Sequence, residues 1–404
     1  MLWLVCFFNY ADRQALSSVL PLLGKEFQLG EVELGLLGSA FAWVYAAGAP
    51  LAGLMADRFA RKRLILAACV VWSFFTLATA TAGNFSWLFA ARALTGLGET
   101  FYFPAAMALL SDYHNVRTRS RAMSWHQSAV YVGTILGSWV AAVLAERAGW
   151  RFPFFVFGPA GMVLAVVVGK FLREPARQAE ENPKSESPGG GLGGLVLVLR
   201  SPAALLLMGA FACANFVAVI FLTWTPAFLV EKFNYSIGAA GLTGALYIHL
   251  ASGVAVPLAG SLADRWERSR RGGRMLVQVL GLLAGAVFVF WVGKASGTIS
   301  LVVAMSFFGA CKGFYDSGIF ASLYDVVDPR SRGAAAGLMN TVGWGGGALG
   351  PLFVGLACKY GHRATKTENM SDAIAFCGAI YLLAAVLVLA AKFISSREEP
   401  ENPL

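Results

Sequence analysis

The sequence predicts an all-α integral membrane protein with twelve transmembrane helices in two pseudo-symmetric six-helix bundles. Three observations carry this expectation: an apolar composition, twelve long apolar segments and an internal repeat. Of 404 residues, 57% are hydrophobic and 14% charged, and the mean hydropathy is +0.63. Soluble domains carry about 25% charged residues. The segments lie near 1–23, 34–56, 64–82, 86–112, 121–146, 152–172, 203–230, 237–262, 275–294, 298–327, 333–358 and 370–393. Each approaches or exceeds the ~20 residues a helix needs to cross ~30 Å of hydrocarbon. Barrel strands would alternate in polarity over ~10 residues, and these runs do not.

The repeat is read directly from the chain. Pro50 to Arg58 (PLAGLMADR) recurs as Pro257 to Arg265 (PLAGSLADR), an offset of 207. A second set matches at offset 213: Gly96, Asp112, Arg117, Arg119 and Ala122 correspond to Gly309, Asp325, Arg330, Arg332 and Ala335. The extra six residues fall in the basic loop around Arg268 to Arg274. We therefore expect an N-terminal bundle over 1–172, a linker over 173–202, a C-terminal bundle over 203–393 and a tail over 394–404. The linker is charged and then glycine-rich, which suits a flexible tether. Six helices per half make the halves parallel, an arrangement that places substrate near the midplane where they meet.

The net charge of +9 invites a nucleic-acid reading, but its placement argues for topology. The even-numbered loops and the C-terminal flank hold 21 of the 32 Lys and Arg residues, and the odd-numbered loops hold 8. By the positive-inside rule both termini and the linker are cytoplasmic. The expected setting is the cell's inner membrane, crossed many times, with the bilayer and no nucleic acid as partner. The first segment lacks a basic leader and carries charges in its middle, so no cleavable signal peptide is read there. It begins abruptly at residue 1, and the sequence leaves open whether the native N terminus is longer.

Asp12, Arg13, Arg92, Glu99 and Lys312 sit inside otherwise apolar segments. A charge at the bilayer centre costs about 2.5–3.5 kcal/mol even on lenient insertion scales, so such residues usually face a polar cavity. Arg92, Gly96 and Glu99 follow i, i+4, i+7 spacing and share one helix face. Helices 1 and 4 could gather Asp12, Arg13, Arg92 and Glu99 into one cluster, either as a fixed ion-pair network or as groups that change partners. Well-packed apolar residues replace buried networks at little loss of stability, which favours exchange. Lys312 is the repeat counterpart of Glu99. It either faces substrate or pairs with Asp316 one turn away. His126 and Gln127 repeat at Met339 and Asn340. A lone intramembrane histidine is more often packed than titrating. His249 is a weaker candidate still. Gly133, Gly137 and the run from Gly343 to Gly350 suit close helix packing across the halves.

Enzyme chemistry finds no support. HExxH and GxSxG motifs are absent from the sequence, as is a His/Cys ligand set. The six cysteines are scattered singly and read as small buried hydrophobes, not as a metal or redox site. We expect no metal and no cofactor.

Gly53, Asp57, Arg58 and Arg61, followed by Lys62 and Arg63, resemble the cytoplasmic loop signature of the major facilitator superfamily, and Gly260, Asp264 and Arg265 form a second copy. The likeness runs over essentially the whole chain and implies that superfamily's fold. It also implies a loop latch in which Asp57 accepts hydrogen bonds from a neighbouring helix and the bases bridge to acids such as Asp112. Orientation of the chain alone is the plainer reading of those bases. Asn9, Tyr10, Asp12 and Arg13, with Tyr45 and with Arg92 seven residues before Glu99, are similar to the anion:cation symporter family of galactonate and hexuronate carriers. Leu222 to Pro226 share that likeness. By this resemblance Asp12 and Glu99 are the proton sites and Arg13 the substrate-carboxylate ligand. Tyr45 lines the cavity, Asn340 stands where a cavity amide is expected, and Arg92 biases Glu99. Helix 7 lacks the arginine of that family's vesicular glutamate transporters, and Lys312 and Asp316 depart from the sugar-acid pattern. Spinster lysolipid carriers share much of the helix 1 and helix 4 pattern.

The expectation is a monomeric, proton-coupled symporter of a small organic anion, such as a sugar acid or carboxylate, working by alternating access. Its proton-coupling residues are Asp12 and Glu99, with Arg92 and Asp316 as charge partners. Its substrate-binding set is Arg13, Tyr45, Gln127, Lys312 and Asn340. A Spinster-like carrier of lysophospholipids or other amphipathic anions is the alternative.

Overall fold

The computed structural model describes residues 1–114, 116–174 and 192–396. Every described element is helical. The order is α1 (Leu2–Glu26), α2 (Glu31–Arg58), α3 (Arg61–Ala80), α4 (Phe85–Thr100), α5 (Tyr102–Tyr113), α6 (Val116–Ala148) and α7 (Phe152–Phe171). Then follow α8 (Leu192–Leu199), α9 (Pro202–Phe233), α10 (Ile237–Ser269), α11 (Gly273–Lys294), α12 (Thr298–Asp316), α13 (Ile319–Asp325), a 3₁₀ turn at Pro329–Ser331, α14 (Arg332–Tyr360) and α15 (Lys366–Ser395).

Ten helical spans among the described residues are long and apolar enough to cross a bilayer. The other two expected crossings are α1 and the α4–α5 pair. Asp12 and Arg13 lower the hydropathy of α1, and α4 is only 16 residues long. The fourth apolar segment is thus two helices, not one. Pro104 has no N–H to give the Thr100 carbonyl, and its ring crowds that carbonyl, so the helix breaks at Phe101. The tenth segment breaks as well. Ser317 and Gly318 separate α12 from α13, and the Ser317 hydroxyl donates to the Phe314 carbonyl at 3.0 Å. A Ser/Gly pair is a recognised cause of such kinks. Within the stretch read as a flexible tether, Leu192–Leu199 forms α8. Residues 175–191 lie outside the described residues.

The described residues pack as two compact units, one drawn from 1–174, 219–246 and 348–370, the other from 192–218, 247–347 and 371–396. In the first unit Val5, Cys6, Ile65, Trp72, Tyr102, Ala105 and Leu109 form a core shared by α1, α3 and α5. Its helices approach backbone to backbone where glycine allows. A Cβ on Gly96 would stand 2.7 Å from the Phe41 carbonyl oxygen, so α4 lies directly on α2. In the second unit Gly309 meets Ile248 in the same way. The residue numbers 41 and 248 differ by 207, and 96 and 309 by 213, so the repeat offsets describe packing as well as sequence.

The glycine pairs read as packing across the sequence halves do otherwise. Gly133 and Gly137 lie against Phe7 and Ala11 of α1, and Gly343 and Gly346 against Phe211 and Ala212 of α9. Contact across the halves, inside the first unit, comes from other glycines. A Cβ on Gly35 would stand 2.6 Å from the Pro351 carbonyl oxygen, Gly355 lies on Glu31, and Gly241 lies 2.8 Å from the Ser138 carbonyl oxygen on the same measure. The Trp224 indole donates to the Pro351 carbonyl at 3.0 Å, closing α9 onto this α2–α14 seam.

Gly96→Val is expected to destabilise the protein by about 1–3 kcal/mol through overpacking against Phe41. Gly83→Ala, where a Cβ meets nothing within 4 Å, should change stability by less than about 0.5 kcal/mol. Thermal unfolding of the two purified variants in detergent checks the contrast.

Candidate functional site

The site starts from two neighbours on α1. Asp12 and Arg13 are 5% and 6% exposed, and one residue's separation sends them to different partners. The Arg13 guanidinium donates through Nε at 3.0 Å and Nη2 at 2.7 Å to one oxygen of Glu99 on α4. Nη2 also reaches the Asn9 side-chain oxygen at 3.3 Å, one turn back on α1. The Asp12 carboxylate accepts a hydrogen bond from the Thr76 hydroxyl on α3. Thr76 was not anticipated from the sequence, because a threonine in an apolar helix carries no motif.

Arg92 lies on the Glu99 face of α4, but its hydrogen bond goes elsewhere: Nη2 donates to the Arg13 backbone carbonyl at 2.9 Å. It remains within electrostatic reach of both Glu99 and Asp12. Aromatic rings wall the two guanidinium groups. Arg13 stands 4.5 Å from the Tyr10 and Phe41 ring centres and 5.5 Å from that of Tyr45, and Arg92 lies 4.9 Å from Phe41. A ring face attracts a desolvated cation, so these rings stabilise positive charge when no carboxylate is in contact. Tyr45 is nearly buried in this group. Tyr10 and Phe41 extend it.

α1, α3 and α4 therefore gather two acids and two bases whose formal charges sum to zero. A buried ion loses several kcal/mol of hydration, which only close partners offset. Taking one proton onto either acid leaves one unit of positive charge, and one anionic group restores neutrality. That is the chemistry this arrangement offers.

The remaining sequence candidates disperse. His126 is buried, and its Nε2 lies 2.8 Å from the Tyr102 hydroxyl. That hydroxyl donates to the Leu2 carbonyl at 2.9 Å, so Nε2 carries the proton and donates to Tyr102. Gln127, beside it, is exposed. The Asn340 amide donates to the Ala336 carbonyl of its own helix at 3.0 Å. In the second unit Lys312 and Asp316 form an ion pair, the second of the two arrangements that the spacing left open.

In the loop motif, Gly53, Asp57 and Arg58 lie outside the residues whose side chains are described. Arg61 pairs with Asp112 and donates to the Ala108 carbonyl at 3.1 Å. In the second copy a Cβ on Gly260 meets only Ser317, at 4.0 Å, and Arg265 is exposed. Asp264 is held at 3.2 Å by Arg274, which also reaches Asp325 at 2.7 Å. Arg274 and Asp325 are Arg61 and Asp112 displaced by 213. Applying that offset to Arg61 would have named Arg274 from the sequence.

These observations have relatives. The model of the Major Facilitator Superfamily matches residues 2–351 and 238–404. The chain belongs to this superfamily: it is a multi-pass membrane transporter, not an enzyme. It is 27% identical to a hexuronate transporter of Bacillus subtilis (strain 168), with 100% of this chain and 97% of that protein aligned. It is 27% identical to a probable galactarate/D-glucarate transporter of Escherichia coli (strain K12), covering 96% and 90%. Its fold is similar to the crystal structure of a bacterial homologue of the human lysosomal transporter Spinster in an inward-facing, unoccupied conformation. There the TM-score is 0.85 at 19% identity, over 100% of this chain and 98% of that one.

Arg13→Gln strands a buried carboxylate and is expected to cost about 3–5 kcal/mol of stability. Adding Glu99→Gln removes the stranded charge and should recover most of the loss. Thermal unfolding of the two single variants and the double variant measures this coupling directly.

Proposed function

We infer that the chain is a proton-coupled symporter of a small organic anion, in which a carboxylate of the substrate and Glu99 compete for Arg13. The observation that carries this reading is the buried Arg13–Glu99 pair, set in a cluster of zero net charge. When Glu99 takes a proton, it no longer offers Arg13 an anion, and the guanidinium rests against Tyr10, Phe41 and Tyr45 until a substrate carboxylate arrives. Proton and anion then move together, because each alone leaves a net charge among buried groups. Release reverses the order: Glu99 loses its proton, reclaims Arg13 and displaces the carboxylate.

Asp12, held by the Thr76 hydroxyl, is the second proton site. Arg92 keeps positive potential near both acids. Gln127, Asn340 and Lys312 are assigned to the substrate path. The Arg61–Asp112 and Arg274–Asp264–Asp325 pairs, with Gly53, Asp57 and Arg58, are assigned to gating in the loops. The boundaries of the repeat place six helices on each side of residues 173–202, and the basic loops put both termini in the cytoplasm. The named substrates of the relatives, hexuronates and galactarate or glucarate, support sugar acids as the anion class.

The test is proton movement in proteoliposomes holding the pure protein at clamped membrane potential, with sugar acids, monocarboxylates and lysophospholipids added in turn. Sugar-acid-evoked proton influx is expected. Arg13→Gln should abolish substrate binding, and Asp12→Asn should keep exchange while losing uphill accumulation. Normal accumulation by Asp12→Asn would remove Asp12 from the coupling. Lysolipid transfer without any sugar-acid response would transfer the same charges to a lipid-headgroup site.

A further inference from the structure

The Lys312–Asp316 pair is poorly placed for helix stability. In an i, i+4 pair the acid is better placed before the base, and here it follows. Asp316 is also the last residue of α12, where the helix dipole presents its negative end. The pair stays within a membrane-spanning segment, half-buried, with side chains 21% and 29% exposed.

Beside it are two unsatisfied donors. The side chains of Tyr315, on α12, and Tyr381, on α15, are 1% and 0% exposed, and neither hydroxyl has a hydrogen-bond partner among the described residues. Asp316 is within electrostatic reach of both phenols. Leaving a buried donor unmade costs about 1–3 kcal/mol, and phenylalanine at either position would avoid that cost. Two such donors within electrostatic reach of one carboxylate are accounted for if the carboxylate visits them.

We propose that Asp316 toggles between two sets of partners, Lys312 in the empty carrier and the hydroxyls of Tyr315 and Tyr381 in the loaded one. This releases Lys312 to bind a carboxylate of the substrate. The inference rests on the organic-anion reading above and deepens it: Lys312 becomes a substrate ligand of the second unit, while Asp316, Tyr315 and Tyr381 become positioning residues. The phenols donate hydrogen bonds and keep their protons, so Asp316 stays anionic and no proton is consumed. Lys312 then pairs with the incoming carboxylate while Asp316 keeps its charge against the two neutral phenols, so the loaded set in the second unit carries one net negative charge. The device differs in this from the Arg13–Glu99 pair, where a proton must replace the departing partner. The helix break at Ser317–Gly318, immediately after Asp316, gives the acid a chain end that is not held on both sides by the same helix.

The experiment is uptake of radiolabelled D-glucarate and D-glucuronate by proteoliposomes, read as KM and maximal rate beside thermal unfolding of each variant. Tyr315→Phe and Tyr381→Phe should unfold at or above the wild-type temperature. Each should nevertheless raise KM about tenfold, the size of one lost hydrogen bond to a charged group. Adding Asp316→Asn to Tyr315→Phe removes the competitor for Lys312 and should return KM to near the wild-type value. Lys312→Gln should raise KM and resist rescue by Asp316→Asn. Wild-type KM in both phenylalanine variants, or failure of Asp316→Asn to rescue, overturns the toggle while leaving sugar-acid transport standing. Silence of the wild-type protein toward both compounds overturns the organic-anion reading and the toggle together.

Discussion

Electroneutrality of the buried cluster on α1 and α4 is the constraint on which the rest of this protein depends. At 4 Å and an effective dielectric constant near 20, two unit charges interact by about 4 kcal/mol. No element of the first unit can leave such a charge without company. That requirement explains why α4 lies on α2 through Gly96, why three rings crowd one guanidinium, and why Arg92 reaches the Arg13 backbone. It also makes the two acids different. Glu99 holds a cation, and Asp12 holds a hydroxyl. The same proton therefore has different consequences at each.

The two halves of the sequence keep one backbone plan and give it different charges. Where helices touch, the copies agree: Gly96 on Phe41, Gly309 on Ile248. The loop bases agree as well, Arg61 with Asp112 and Arg274 with Asp325. In the spans they part. Arg13 has Ile220 as its counterpart at offset 207, and Glu99 has Lys312 at offset 213. Packing is thus the shared inheritance of the repeat, and the electrostatics are where the copies have specialised.

The fold class and superfamily were legible because they rest on long-range averages: apolar length, loop charge and a nine-residue repeat. The membership of the charged cluster was legible too, because an ion in an apolar helix stands out and i, i+4, i+7 spacing fixes a face. Pairing within the cluster was not. Which of Asp12 and Glu99 takes Arg13 depends on helix rotation and on Thr76, a residue with no sequence signal. The helix breaks were written in Pro104 and in Ser317–Gly318 but were hidden by the unbroken hydropathy around them. The glycine partners were misread because a small residue announces a close approach without naming the helix that makes it. His126 shows the same limit, its place set by Tyr102 from another helix.

The α2–α14 seam carries a mechanical consequence. Gly35 on Pro351 and Gly355 on Glu31 bring main chain against main chain, with no long side chains to stretch or swivel as the helices part. Dispersion contacts of this kind vanish within a fraction of an ångström. A seam so built behaves like a snap fastener: it is either shut or open, with little in between. For a membrane transporter, such abruptness leaves little room for a half-open seam, and it comes from the smallest residue in the chain.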